Sequence, residues 1–444
     1  MAAGLDDLQD VPVLLLWGPS DPVFSDLYLH DLEARLPQAD VHRFVGARHY
    51  TPEDADVAGA VHTWVGELGA TEPASLPQQR REPLWAALER RRDDADAAVI
   101  EMDGEDVGRS VTFAELAADV EAVATGLSEA GVQPGDRVAL LIPPGIDLTV
   151  CLYACWRMGA VVVVADAGLG VAGMGRALAS ADPAYLIGIP RAVAAARALR
   201  WPGVRIVAAS LSGAARRSLG AWATLDEIRR LGSVGSPPAP PSDEDVAAVV
   251  FTSGATGAAK GVVYRHHQAQ AQRDALVQIY DISPDDRLVA AFGPFALYGP
   301  AMGICSAVPE MEVTSPGTLT AAALAAAVDA IEATLVFASP AALTNVSATA
   351  PGLSPGYRDA LAGVRLLMSA GAPVSAAVLR RACRVMPNAE AHTPYGMTEV
   401  LPVADITLEE IEAAQSGAGV CVGTPVAGVE VAIDPLDNLG RPRH

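Results

Sequence analysis

Short apolar runs rich in β-branched residues alternate with helix-period stretches along most of this chain. Residues 11–17 are nearly continuous hydrophobics and read as a strand, closed by the turn Gly18-Pro19-Ser20-Asp21-Pro22. A helix over 27–36, a second strand over 41–45 and a helix over 55–68 follow. The last of these carries Val57, Val61, Trp64, Val65 and Leu68 on one face. Residues 69–82 are rich in proline and polar side chains and read as a linker. Beyond it, strands at 97–102 and 109–111 flank the Asp103-Gly104 turn. Thr112 and Glu115 form a capping box that opens a helix with Phe113, Leu116, Val120, Val123 and Leu127 at three- and four-residue spacing. Gly131 ends it, and strand 137–142, helix 147–158 and strand 160–165 continue the alternation. Strand alternating with helix places the chain in the α/β class, with parallel sheets and crossover helices. A stiff Pro/Gly/Ser connector at 232–241 precedes strand 246–251, strand 261–264 and helix 265–280. Later come an alanine-rich helix at 319–330 and strands at 334–337 and 366–369, the last leading into Ala370-Gly371-Ala372-Pro373.

The segment between strands 246–251 and 261–264 stands apart chemically. It reads Thr252-Ser253-Gly254-Ala255-Thr256-Gly257-Ala258-Ala259-Lys260-Gly261. Of 31 basic side chains in the chain, 30 are arginine, and the one lysine is Lys260. An ammonium is a compact point charge that an arginine fork does not replace. Small residues let successive backbone N–H groups face one anion, and three hydroxyls add donors. The loop therefore suits phosphate, but its spacing is not that of a P-loop. A second string, His392-Thr393-Pro394-Tyr395-Gly396-Met397-Thr398-Glu399, places its tyrosine 135 residues after Lys260.

Together these strings resemble the adenylate-forming superfamily, which includes acyl-CoA synthetases, luciferases and peptide-synthetase adenylation domains. The departures are Ala259, where a proline is usual, and Ala255, where a hydroxyl is usual. The resemblance spans roughly 83–434 and implies the family's large N-terminal domain of two αβαβα subdomains, with 83–240 as the first. It implies that Thr252, Ser253, Gly254, Thr256, Gly257 and Lys260 hold the phosphates of ATP. It implies too that Gly371, Ala372 and Pro373 lie along the adenine, that Tyr395 stacks on it within Tyr395-Gly396-Met397, that Thr398 bonds the α-phosphate, and that Glu399 holds Mg²⁺ through oxygen. Lys260, Thr398 and Glu399 are then the catalytic set, with ATP and Mg²⁺ as cofactors. Residues 292–299 resemble a stretch of acyl-CoA synthetases that usually has a histidine where Ala296 stands. Residues 421–425 resemble the family's next segment, and the expectation for 83–444 is an adenylation domain that ends before the small C-terminal domain.

Residues 1–68, a βαβα pattern, resemble the C-terminal end of an α/β-hydrolase of dehalogenase-like type. Asp21 would be the triad acid and His49, 28 residues later, the base. No nucleophile elbow precedes them, so this piece is expected to be a vestigial fragment without hydrolase activity. A hydrolase-like unit ahead of an adenylating domain resembles an arrangement in bacterial olefin biosynthesis. There a β-lactone synthetase activates a long-chain 2-alkyl-3-hydroxy acid, and other pathway proteins act on the lactone. The absent histidine at Ala296 fits that branch. A fatty acyl-CoA or acyl-carrier ligase and a truncated, nucleotide-binding fragment without turnover stay open as alternatives.

Charge and composition narrow the class. The net charge of −22 and pI near 4.7 argue against nucleic-acid or anionic-membrane partners. The five cysteines form no zinc pattern, and the start lacks a signal peptide's basic region, so a reducing cytoplasm is expected. The most apolar region, 138–165, is interrupted by Pro143, Pro144, Asp147, Arg157 and Gly159, which excludes a membrane span there.

Overall fold

The computed structural model describes residues 13–21, 26–48, 55, 57, 59–61, 64, 81–165, 167–251, 261–291, 298–312, 314–414 and 420–431. The chain divides into two compact units, Met1–Arg80 and Arg81–His444.

In the first unit, β1 (Leu14–Trp17) pairs in parallel with β2 (Asp40–Arg43), Leu14 lying opposite Asp40 and Trp17 opposite Arg43. Parallel strands need a crossover, and the helix Asp26–Arg35 supplies it. Asp26 ties the three elements together. It accepts from Trp17 Nε1 at 3.2 Å and from Arg43 at 2.5 Å. The second strand stops at Arg43 rather than reaching residue 45, because the chain turns at Gly46, whose φ is +91°.

The second unit opens with β3 (Ala97–Asp103) and β4 (Asp106–Thr112), an antiparallel hairpin around Gly104 at φ +64°. Thr112 then caps the helix Phe113–Glu129. Its hydroxyl accepts from Glu115 N at 3.1 Å, and Thr112 N donates to the Glu115 carboxylate at 2.9 Å, so the capping box read from sequence is present. Next come β5 (Arg137–Leu141), β6 (Val161–Ala165), β7 (Tyr185–Gly188), β8 (Val204–Val207), β9 (Ala223–Thr224), β10 (Val246–Phe251) and β11 (Gly261–Arg265). They form one seven-stranded sheet in the order β11-β10-β6-β5-β7-β8-β9. A second seven-stranded sheet contains β12 (Arg287–Ala291), β13 (Cys305–Val308), β14 (Leu335–Ala338), β15 (Leu366–Met368) and β16 (Glu390–His392), in the order β16-β15-β14-β12-β13-β3-β4. A small third sheet, β17 (Tyr395–Met397), β18 (Val400–Asp405) and β19 (Thr424–Pro425), is antiparallel throughout.

Two expectations change here. The large sheets are mixed rather than parallel, because β4 and β11 each run antiparallel at an edge. Residues 83–240 also do not make one sheet. β3 pairs with β13, Val99 facing Ser306, while β10 and β11 join the first sheet beside β6. Periodicity reports which face of a strand is buried, and it carries no information about its partner. The strand β16 takes in Glu390 and Ala391 just ahead of the second string and His392, its first residue.

The helix Ile146–Met158 is buried on nearly every face, and the helix Phe113–Glu129 lies against it. The helix Leu225–Gly232 then packs on Phe113–Glu129 through glycines. A Cβ on Gly232 would sit 1.8 Å from the carbonyl oxygen of Ala122, and one on Gly126 would sit 2.0 Å from that of Ile228. Both obstacles are backbone, so neither can swing aside. Gly232→Ala is therefore expected to lower stability by about 1–3 kcal/mol through overpacking. A urea unfolding midpoint equal to that of the parent chain would contradict this contact.

Candidate active site

The lysine-bearing loop connects β10 to β11, and its residues 252–260 lie outside the described residues. Thr252, Ser253, Gly254, Thr256, Gly257 and Lys260 all fall in that stretch, and Ala296 and His49 also lie outside the described residues. The loop's two anchors are clear. Phe251 faces Gly261 across an antiparallel ladder at the sheet edge, so the loop leaves and returns at one point. Gly261 is required there by crowding, since a Cβ would meet Val249 at 2.9 Å and the Phe251 ring at 3.1 Å.

From that point β11 runs to Tyr264, whose hydroxyl donates to the carbonyl oxygen of Thr398. This hydrogen bond links the strand leaving the lysine loop to the second motif. Tyr395 pairs with Ala404 and Met397 with Val400, so Thr398 and Glu399 form the tight turn of a β-hairpin. Gly396 makes the hairpin possible. A Cβ there would lie 2.7 Å from Val400 O and 2.6 Å from the Leu401 side chain. Glu399 and Tyr395 are both exposed. Burial, and then the charge of Glu399, push the Tyr264 phenol above its ordinary range and keep it a donor.

The hairpin has a second brace. Gln272, on the helix His266–Ile279, donates to Leu401 O at 3.2 Å and accepts from the Tyr298 hydroxyl. Tyr298 lies in the 292–299 stretch whose sequence resembles acyl-CoA synthetases, and it is the first residue described after Ala291. Tyr264, Gln272 and Tyr298 therefore join three pieces of the site, and sequence reasoning selected none of them. Their only sequence signal is position: Tyr264 just after the lysine loop, Tyr298 within the 292–299 stretch and Gln272 on the helix between them.

Gly371, Ala372 and Pro373 follow β15 on the surface, Gly371 at φ +93°, a conformation that favours glycine. The backbone joins this turn to the second motif, as Ser369 N donates to His392 O at 3.0 Å. Two of the three candidate segments thus start from neighbouring strands of one sheet, since β15 pairs with β16. Among the described residues no group of three or more His, Cys, Asp or Glu gathers to cage a metal. Glu399 offers an exposed carboxylate, the oxygen chemistry that Mg²⁺ takes when substrate phosphates complete its shell.

In the first unit, Asp21 sits in the turn after β1 with its N–H bonded to Gly18 O at 3.0 Å. Ser20 N donates to Ala47 O at 3.1 Å, so this turn meets the segment that leads towards residue 49.

The sequence profile of the AMP-binding enzyme family matches residues 84–442. The chain belongs to that family. It is 38% identical over 339 residues to an olefin β-lactone synthetase of Xanthomonas campestris pv. campestris, covering 75% of this chain and 59% of that protein. It is 36% identical over 335 residues to an olefin β-lactone synthetase of Stenotrophomonas maltophilia, covering 74% and 59%. The chain thus spans about three-fifths of each relative, as the 59% figures state. The fold is shared with a long-chain-fatty-acid-CoA ligase (FadD1) of Archaeoglobus fulgidus at TM-score 0.65 and 19% identity, over 82% of this chain and 72% of that one. The AMP-binding assignment covers the second unit, where both large sheets and all three candidate segments lie. No helix among the described residues is long and apolar enough to cross a membrane.

The Tyr264 bond is testable without a substrate. Tyr264→Phe removes the donor and leaves the half-buried Thr398 carbonyl unpaired, a loss of about 1 kcal/mol. Faster amide hydrogen exchange over 395–400 is the expected signature, with the Phe113–Glu129 helix unaffected.

Proposed function

We propose that this chain activates a carboxylic acid as an acyl-adenylate. The acid's carboxylate oxygen attacks the α-phosphorus of ATP, a P–O bond to the β-phosphate breaks, and pyrophosphate leaves. The observation that carries this reading is the Tyr264–Thr398 hydrogen bond, which unites the strand after the lysine loop with the Glu399 turn. Positioning and charge neutralisation dominate such chemistry. Lys260 and the hydroxyls of Thr252, Ser253 and Thr256, beside the backbone of Gly254 and Gly257, screen the leaving pyrophosphate. Thr398 orients the α-phosphate, and Tyr395 stacks on an adenine lodged against Gly371, Ala372 and Pro373. Glu399 holds Mg²⁺, which supplies further charge neutralisation when bound.

The acid we propose is a long-chain 2-alkyl-3-hydroxy acid. Its own 3-hydroxyl oxygen attacks the adenylate's acyl carbon, the hydroxyl proton passes to a base, and AMP leaves as the β-lactone closes. The likeness to two olefin β-lactone synthetases supports this, as does Ala296 in place of the histidine usual in CoA ligases. An internal nucleophile needs no CoA. The first unit, read as a hydrolase-derived piece carrying Asp21 and His49, takes no part in adenylation.

Incubation with ATP, Mg²⁺ and such an acid, with and without CoA, is expected to yield AMP and lactone without CoA, identified by mass spectrometry. AMP release that requires CoA would make the chain a CoA ligase, and none with any acid would remove the adenylation reading. Lys260→Ala is expected to lower AMP formation by on the order of 10²–10³-fold with the fold intact. Asp21→Asn is expected to leave it unchanged.

A further inference from the structure

The short strand β16 ends in a side-chain cluster that no step above uses. His392 Nδ1 lies 2.6 Å from Asp405 Oδ2, and Tyr280 donates its hydroxyl to Asp405 Oδ1 at 3.0 Å. The Tyr280 and His392 rings meet edge to face, with centroids 5.3 Å apart. The His392 and Asp405 side chains are only 12% and 13% exposed, and Tyr280 is buried. The three residues come from three elements. His392 is the last residue of β16, Asp405 the last of β18, and Tyr280 follows the helix His266–Ile279.

That placement gives the cluster a mechanical meaning. His392 is joined through its backbone to Ser369, just ahead of the Gly371-Ala372-Pro373 turn. Asp405 terminates the strand whose other end carries the Glu399 turn. We propose that the His392–Asp405 pair, steadied by Tyr280, is a clamp that fixes the β17–β18 hairpin to the large sheet and so positions the Tyr395–Glu399 turn opposite the Gly371-Ala372-Pro373 turn. His392 and Asp405 are positioning residues that act through the hairpin backbone. The consequence for nucleotide rests on the adenylation reading, whereas the clamp itself does not.

The groups facing the ring fix the sign of its pH dependence. Burial favours the neutral ring. The hydrogen bond and charge of Asp405 outweigh that, with help from Glu390 on the same strand, whose Oε1 lies 3.7 Å from Nε2. From the helix side the ring meets the Tyr280 phenol, held protonated by burial and by Asp405, and β15 meets its residue through the Ser369 backbone. The net effect raises the His392 pKa above its ordinary value. A raised folded pKa means a contribution complete below the ordinary imidazole range and lost as pH rises through the higher value. The clamp therefore weakens on the alkaline side.

The test is amide hydrogen exchange of the full chain from about pH 6 to about pH 9, corrected for intrinsic rates, alongside ATP titration. In the parent chain, protection over 395–405 is expected to fall about tenfold towards alkaline pH, with the Phe113–Glu129 helix steady. In Asp405→Asn and His392→Gln, that protection is already low and no longer follows pH, and ATP binds about tenfold more weakly at the acidic end. Tyr280→Phe shifts both in the same direction by less. Three results overturn the proposal: unchanged hairpin protection in Asp405→Asn, a loss spread equally over the helix and both large sheets, or a loosened hairpin that binds ATP as before. If Asp405→Asn fails to fold, the parent chain's pH profile and Tyr280→Phe decide. A parent chain with a pH-sensitive hairpin but no ATP binding removes the adenylation reading and leaves the clamp.

Discussion

One hydrogen bond, from the Tyr264 hydroxyl to the Thr398 carbonyl, joins the separate pieces of sequence that make up the candidate site. Tyr264 ends the path out of the lysine loop, and Thr398 begins the turn that presents Glu399. The residues are 134 apart in the chain, so only a folded scaffold with both strands in place can form the bond. A single such bond contributes about 1 kcal/mol net, far too little to assemble the fold. Its weight is geometric. The phenol ties β11, in one large sheet, to the Glu399 turn of the small antiparallel sheet. Burial, and then the charge of Glu399, raise that phenol's pKa above its ordinary value and so favour the donor form.

The large sheets differ at their edges from their centres. The middle strands are parallel, apolar and covered by helices, as buried parallel sheets must be. β11 and β4 reverse direction at the edges. An antiparallel edge strand allows a hairpin connection, and the hairpin from β10 to β11 carries the lysine loop. Glycine serves this arrangement at specific points. Gly261 admits the Phe251 ring beside the loop's return, and Gly396 admits the returning strand beside Tyr395. At these positions glycine is needed because of a neighbouring atom, and loop flexibility does not enter.

The hairpin bearing Glu399 belongs to a small antiparallel sheet of three short strands, with much of its surface exposed. Its placement depends on contacts at its ends and flank: Tyr264 at the turn, Gln272 at Leu401, and the His392–Asp405–Tyr280 cluster at the base. The third contact joins a raised imidazole to a carboxylate, so it is the one contact of the three that ordinary pH changes can reach.

Local chemistry was legible in the sequence. The strand 246–251, the capping box at Thr112 and Glu115, the α/β alternation and the AMP-binding family all follow from residue order, because each is carried by short strings whose own residues are a few positions apart. The distinctness of Lys260 was legible too, as one ammonium among arginines. Sheet membership was not. β3 sits beside β13, and β10 beside β6, through pairings that span the chain. Hydrophobic period marks a buried face and says nothing of its neighbour. For the same reason His392 stood in a quoted motif without its partner, because Asp405 is thirteen residues on and meets it only after β17 and β18 fold back. Sequence alone determined which chemical groups this chain carries for the nucleotide site proposed here. The tertiary structure decided which of them meet, because hydrogen bonds and charge pairs act over a few ångströms of space regardless of separation along the chain.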